Sequence, residues 1–309
     1  MQTTTWNGLS LSQMMLGTVQ FGIPYGIANQ TGQPDYEDVV AIVDAAVTGG
    51  VNCFDTAAAY GQSEKILGLA LQELGIGHKV VVVTKVRPLT TVELANPRLA
   101  ELAIQASIEL SLQRLQLDCL PIVLFHRECD AKFLGVLERL RDEGKLKHFG
   151  VSCGNIPGAA ADLVSEGYAS ALQIPANIVD RRHFRSGIMQ ESVSRNVAIF
   201  IRSVYLQGLL AMSEETIPDK LRGILSERQR LTLIAEDSGL SLMELALRYI
   251  LSLPGITSVL TGVETKEQVE QNLMMFSRGR LSEDILSAIH QDATELPEVL
   301  ITPSMWSME

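Results

Sequence analysis

The sequence predicts an α/β protein, a single (β/α)8 barrel with an N-terminal β-hairpin, spanning residues 1–309 as one domain. Three observations carry that prediction. Eight short apolar runs alternate with helical patterns along most of the chain. Those runs lack polar alternation, as expected of a parallel sheet covered by helices. No linker divides the chain, and the stretch Gly17 to Gly22 lacks the GxGxxG spacing that an open doubly wound sheet would carry after its first strand.

Asn7-Gly8, flanked by short alternating runs, signals a tight hairpin turn. Residues 14–19 (MMLGTV) read as the first barrel strand, followed by a Gly-, Pro- and Asn-rich loop to Pro34. Val39, Ile42, Val43, Ala46 and Val47 recur at helical spacing, and Gly49-Gly50 stops that helix. Strands are then expected at residues 51–54, 80–84, 120–125, 149–152, 171–174, 198–201 and 258–261. Helices are expected between them: from Ser63 to Leu74, across Leu99 to Leu112, and at 133–143, 159–165 and 189–195. Two more are expected at 227–237 and 241–251, and a further pair at 266–275 and 283–293. The tail beyond reads as irregular.

Composition narrows the function. The apolar fraction, 46%, is enough for a large core, and 25 basic against 36 acidic residues give a net charge of −11. That balance disfavours a phosphate backbone, so no nucleic acid partner is expected. The N-terminus lacks the basic flank and apolar core of a signal peptide. No apolar run approaches the roughly 20 residues needed to cross a bilayer, so no membrane partner is expected. Cys53, Cys119, Cys129 and Cys153 have no metal-binding spacing; they read as reduced thiols of a cytoplasmic protein with no metal site.

In a barrel the C-terminal ends of all strands surround one pocket. Asp55, Lys85, His126, Ser152, Gln173, Arg202-Ser203 and Thr261-Gly262 stand at or just beyond those ends. Each alone has a structural explanation: Asp55 as a turn cap, Lys85 as a solvated charge, His126 as a loop residue, Gln173 as a satisfied core amide. Together they make a chemical set. Tyr60 lies five residues beyond Asp55, and a phenol, with a pKa of about 10, becomes a better acid beside an ammonium. Lys85 supplies that ammonium, Asp55 holds it, and His126 is placed to bond a carbonyl or share the proton transfer. The set suits protonation of an oxygen that gains negative charge. It holds no electron source, so a cofactor is implied.

Asp55-Thr56-Ala57 through Tyr60-Gly61 and Ser63-Glu64, with Lys85 and His126, resembles the signature of the aldo/keto reductases. The similarity runs on through Gly150-Val151-Ser152, Gln173 with Asn177, and Gly262 followed by Glu267-Gln268 and Asn272. The resemblance implies reduction of an aldehyde or ketone by NADP(H), with Asp55, Tyr60, Lys85 and His126 catalytic and Tyr60 the proton donor. It places Ser152 and Gln173 at the nicotinamide carboxamide, and Arg202 and Ser203 beneath the ring and pyrophosphate. Gly262, Glu264, Gln268 and Asn272 fall at the adenosine end.

Three positions depart from the family's pattern. Cys153 stands where Asn is common. Arg202 stands where many members have an aromatic residue, although a guanidinium plane can also stack on a ring. Glu264 stands where a basic residue often meets the 2′-phosphate, which opens the use of NAD(H), with Lys266 close enough to oppose it. Arg127, Arg181 and Arg182 are expected near the mouth and favour a polar, sugar-like or acidic small-molecule substrate. The alternative functions are a non-catalytic barrel that binds a nicotinamide nucleotide for a regulatory purpose, and a Schiff-base lyase using Lys85.

Overall fold

A computed structural model describes residues 1–29 and 32–306. Gln30 and Thr31, in the loop expected up to Pro34, and residues 307–309 of the tail lie outside the described residues. The chain begins with β1 (Thr3–Trp6) and β2 (Leu9–Ser12), paired antiparallel with Trp6 opposite Leu9. Asn7 and Gly8 have φ of 46° and 79°, the left-handed pair a two-residue hairpin turn requires.

Eight strands then close into a parallel barrel: β3 (Met14–Gly17), β4 (Cys53–Asp55), β5 (Val81–Val86), β6 (Leu120–Phe125), β7 (Leu146–Ser152), β8 (Ala171–Pro175), β9 (Ala198–Arg202) and β10 (Ser258–Gly262). Their order around the barrel is β10-β3-β4-β5-β6-β7-β8-β9. The first strand is shorter than expected. Residues 19–22 turn into a helical segment, Val19–Gly22, once Thr18 bonds back to the carbonyl of Asp55. Lys85 lies inside β5 rather than beyond it.

Alternation along the strands, hidden in the sequence because both faces are apolar, sorts the side chains. Met15, Cys53, Val81, Val83, Ile122, Leu124, Ala171 and Phe200 share an inner cluster with Trp6 and Leu11 of the hairpin. Their neighbours Leu16, Phe54, Val82, Val123, Phe125, Leu172 and Ile199 belong to the outer cluster, beneath the helices. Trp6 packs against His148 with the rings tilted and centroids 4.6 Å apart and donates from Nε1 to the carbonyl of Asn196, and Cys53 N donates to Ser12 Oγ. The hairpin therefore plugs the N-terminal end of the barrel, so a pocket is left to form at the C-terminal end.

The tail is more ordered than expected. Helix Glu283–His290 is followed by the turns Glu298–Ile301 and Pro303–Met305. Leu300, Ile301 and Trp306 are buried, and Trp306 Nε1 donates to the carbonyl of Val299. Burial of these few apolar side chains, too widely spaced to give a helical period, fixes the segment across one side of the barrel mouth.

Candidate active site

Counting by twos along each strand from its inward residues reaches the mouth. Cys53 leads to Asp55, Val83 to Lys85, Leu124 to His126, Ala171 to Gln173, Phe200 to Arg202, and Leu260 to Gly262. One parity rule thus turns six of the expected residues inward at the same end of the barrel.

At its centre Lys85 Nζ donates to Asp55 Oδ1 at 2.6 Å and to the carbonyl of Thr56 at 2.9 Å. Gln173 reaches across the barrel, and its Nε2 donates to the same carboxylate oxygen at 2.7 Å. Ser152 Oγ lies 3.4 Å from Gln173 Oε1 and donates to it. Asp55 is therefore held from two sides. The ring of Tyr60 packs edge-on to His126, with centroids 5.6 Å apart, and Lys85 Nζ lies 5.0 Å from the Tyr60 centroid.

The electrostatics correct one expectation. Burial raises the Tyr60 pKa, and the opposing charges of Lys85 and Arg202 do not outweigh it. Tyr60 is thus a protonated phenol at neutral pH. Burial works against the charge of Lys85, but the Asp55 carboxylate and Tyr60 hold its pKa above the ordinary lysine value. Burial, with Lys85, Arg202 and Arg127 nearby, lowers His126 to about 3. His126 is therefore neutral, and its Nδ1 is buried without a partner.

The loop carrying Tyr60 is pinned by hydroxyls. Ser63 Oγ donates to the carbonyl of Thr18 at 2.7 Å and lies 2.8 and 3.0 Å from Thr18 Oγ1 and Thr56 Oγ1. Gly22 touches the same loop: a Cβ there would lie 1.8 Å from the Tyr60 carbonyl oxygen and 2.5 Å from Ser63 N. Those are backbone atoms, so Gly22→Ala must displace Tyr60. The expected result is a fall of about 10²-fold in kcat/KM, because a shift near 1 Å at a reacting group costs that much. Steady-state kinetics on a folded variant checks this; an unchanged kcat/KM would show that the loop can absorb the methyl group.

Two further groupings contain the expected cofactor residues. At the end of β9, Arg202 donates to the carbonyl of Cys153 at 2.9 Å and to Ser203 Oγ at 3.3 Å. Ser203 has φ of 64°, and its carbonyl accepts from Asn177 Nδ2. Beyond β10, Glu264 N donates to Gln268 Oε1 at 2.7 Å, and Gln268 Nε2 donates to Glu264 Oε2 at 3.3 Å. Asn272 is buried one turn on and accepts from the Tyr205 hydroxyl. A cleft of about 550 Å³ lies beside Arg202 and Ser203, walled by Glu128, Asn155, Gln207 and the turn at Pro303.

Gln20 and Tyr205 were not singled out from the sequence. The Gln20 carboxamide occupies the space a Gly262 Cβ would enter, and its Oε1 is buried and unpartnered, as is Thr261 Oγ1. The unpartnered His126 Nδ1 and Gln20 Oε1, beyond the ends of β6 and β3, fit a polar ligand such as a nicotinamide dinucleotide. Among the described residues no group of three or more His, Cys, Asp or Glu could hold a metal ion, and no helix is long and apolar enough to cross a membrane.

Three arginines expected to face a substrate are otherwise engaged. Arg127 pairs with Asp130 and donates to the carbonyl of Leu89. Arg182 pairs with Asp180 and Glu298. Arg181 lies over the Tyr249 ring at 5.4 Å and donates to the carbonyls of Ile178 and Ile289. Each guanidinium meets a carboxylate, carbonyl or ring within the protein, so none of the three argues for an acidic substrate.

A barrel whose mouth sets a buried lysine–aspartate pair against a tyrosine and a neutral histidine defines an oxidoreductase of carbonyl and alcohol groups. The chain belongs to the aldo/keto reductase family, whose sequence profile matches residues 13–292; it is an NAD(P)(H)-dependent enzyme. It is 27% identical to the L-galactose dehydrogenase of Arabidopsis thaliana, over 86% of this chain and 84% of that protein. It is 23% identical to a probable voltage-gated potassium channel subunit beta of the same plant, over 87% and 90%. The aldo-keto reductase AKR11C1 from Bacillus halodurans, in its holo form, shares the fold with a TM-score of 0.77, at 21% identity over 97% of this chain and 99% of that one.

Proposed function

We propose that the protein reduces the carbonyl of a small polyhydroxylated aldehyde or ketone, with Tyr60 as proton donor. The observation that carries this is the Asp55–Lys85 pair against the Tyr60 ring, with neutral His126 packed edge-on to the same ring. A nicotinamide dinucleotide supplies the hydride when bound. The substrate carbon accepts that hydride, and the oxygen, gaining negative charge, takes the proton from the Tyr60 hydroxyl. An alcohol is a weaker acid than a phenol, so the transfer runs downhill even though burial raises the Tyr60 pKa. Lys85 stabilises the phenolate left behind, and Asp55, fixed by Gln173, keeps Lys85 aimed at the ring. His126 donates one ring N–H to the carbonyl oxygen and orients it.

The cleft that adjoins the cofactor residues Arg202 and Ser203 is polar for a ligand site. About half of its exposed wall is polar, with Glu128, Asn155, Gln207 and Ser304 beside Arg202 and Ser203, whereas ordinary ligand sites are mostly apolar. The L-galactose dehydrogenase among the relatives supports a sugar-like substrate. Ser152, Gln173 and Ser203 would hold the nicotinamide end of the cofactor, and Gly262, Gln268 and Asn272 the adenosine end. There Glu264 opposes a 2′-phosphate, while Lys266 leans toward Glu270 at 3.8 Å. NAD(H) should therefore be used alongside NADP(H), despite the family's leaning to the latter.

Cofactor consumption with a panel of hydroxyaldehydes and simple aldehydes tests the reading. The expected kcat/KM values for NADPH and NADH lie within about tenfold, a difference near 1.4 kcal/mol. A preference for NADPH beyond a hundredfold would remove the role given to Glu264, and absence of turnover on the whole panel would remove the reductase reading.

A further inference from the structure

Among the described residues Arg202 is the half-buried guanidinium acting on Tyr60 and His126 that meets no carboxylate; Arg181 meets none either, but it lies over the Tyr249 ring. Arg87, Arg127, Arg182, Arg228, Arg230 and Arg248 each meet a carboxylate within 4 Å. Arg202 has only neutral acceptors, the carbonyl of Cys153 and Ser203 Oγ, and among the described residues no carboxylate lies within ion-pair distance. Glu128, on the same cleft wall, turns its Oε1 to the amide of Gly154 instead. Lys85 is cancelled by Asp55, and His126 is neutral. One uncompensated positive charge is therefore left at the place where hydride must move. Its reach is visible in the electrostatics, where Arg202 acts on both Tyr60 and His126.

Hydride transfer requires the donor carbon to lie about 3–3.5 Å from the carbonyl carbon, and that carbon's oxygen sits at Tyr60 and His126. The nicotinamide ring must then lie within the field of Arg202, whether or not the guanidinium stacks on it. The ring is neutral in the reduced cofactor and carries a positive charge in the oxidised one. We propose that Arg202 is a selectivity residue for the cofactor's redox state, disfavouring NAD(P)⁺ relative to NAD(P)H and so biasing the enzyme toward carbonyl reduction. The device works through charge alone: the protein fills with reduced cofactor, and the oxidised form leaves readily after each turnover. It rests on the reductase reading above only in placing the nicotinamide beside Tyr60.

Isothermal titration of the protein with NADH, NAD⁺, NADPH and NADP⁺ tests this by binding rather than by activity. At each phosphorylation state the oxidised form should bind at least about tenfold more weakly than the reduced form, the effect one like charge produces about 12 Å away at an effective dielectric constant near 20, and more weakly still if the ring lies closer. Arg202→Gln should bring that ratio close to one, whereas Arg202→Lys, which keeps the charge, should preserve most of it. Circular dichroism melts confirm that both variants fold. A ratio near one in the wild type, or a ratio unchanged in Arg202→Gln, would overturn the proposal and leave the role of Tyr60 untouched. Conversely, loss of the Tyr60 reading would be seen in reduction rates and would not alter the binding ratio.

Discussion

Tyr60→Phe should lower the rate of carbonyl reduction by about 10²–10⁴-fold, the usual contribution of a positioned general acid. The substitution deletes one oxygen and keeps the ring that packs edge-on to His126 and lies beside Lys85. Cofactor affinity and melting temperature should therefore change little. His126 is a poor replacement: with a pKa near 3, about one molecule in 10⁴ carries the imidazolium at pH 7. A neutral imidazole can orient a carbonyl but cannot readily release its second proton. The experiment is a single-turnover measurement at saturating cofactor and substrate, paired with cofactor titration. A rate near wild type would mean that solvent delivers the proton, and the role of the Asp55–Lys85 pair would need another explanation.

The barrel could be read from the sequence because its signal is repetitive and local. Each apolar run is followed by a helical pattern, and Asn7-Gly8 at the start has few structural alternatives. The strand ends and the directions of side chains were less legible. Both faces of every strand are apolar, so nothing in residues 51–55 says that Cys53 and Asp55 point inward while Phe54 points outward. Packing of Phe54 under the helices decides it.

The candidate catalytic residues could be picked out because a short motif places Asp55 and Tyr60 five positions apart, with Lys85 and His126 on the next strands. Their couplings could not. The bond from Gln173 to Asp55 joins residues 118 positions apart across the barrel, and it exists only after closure. The Tyr60 pKa shows the same limit. Counting charges near Lys85 points downward, but the outcome depends on how much protein surrounds the ring, and burial dominates. The arginines failed for a related reason. A sequence shows Arg182 as a charge near a strand end, whereas Asp180 and Glu298, 116 positions away, consume it.

Lys85→Met should be the most destabilising of the single changes at the mouth. The Lys85 and Asp55 side chains are 1% and 4% exposed, and the ammonium also satisfies the carbonyl of Thr56. Removing it leaves the Asp55 carboxylate buried with the single donor Gln173 Nε2. Breaking a buried ion pair from one side costs about 3–5 kcal/mol, so urea unfolding should show a loss of that size. Replacing both residues, as in Lys85→Met with Asp55→Leu, removes the stranded charge and should recover much of the stability, because apolar pairs of similar volume often match or exceed buried ion pairs. Reduction should stay low in both proteins, since neither can stabilise the Tyr60 phenolate. Recovery of stability without recovery of activity would separate the two roles and assign the pair to catalysis. If instead the double variant were as unstable as the single one, the pair would be holding the mouth of the barrel together, and its link to Tyr60 would be secondary.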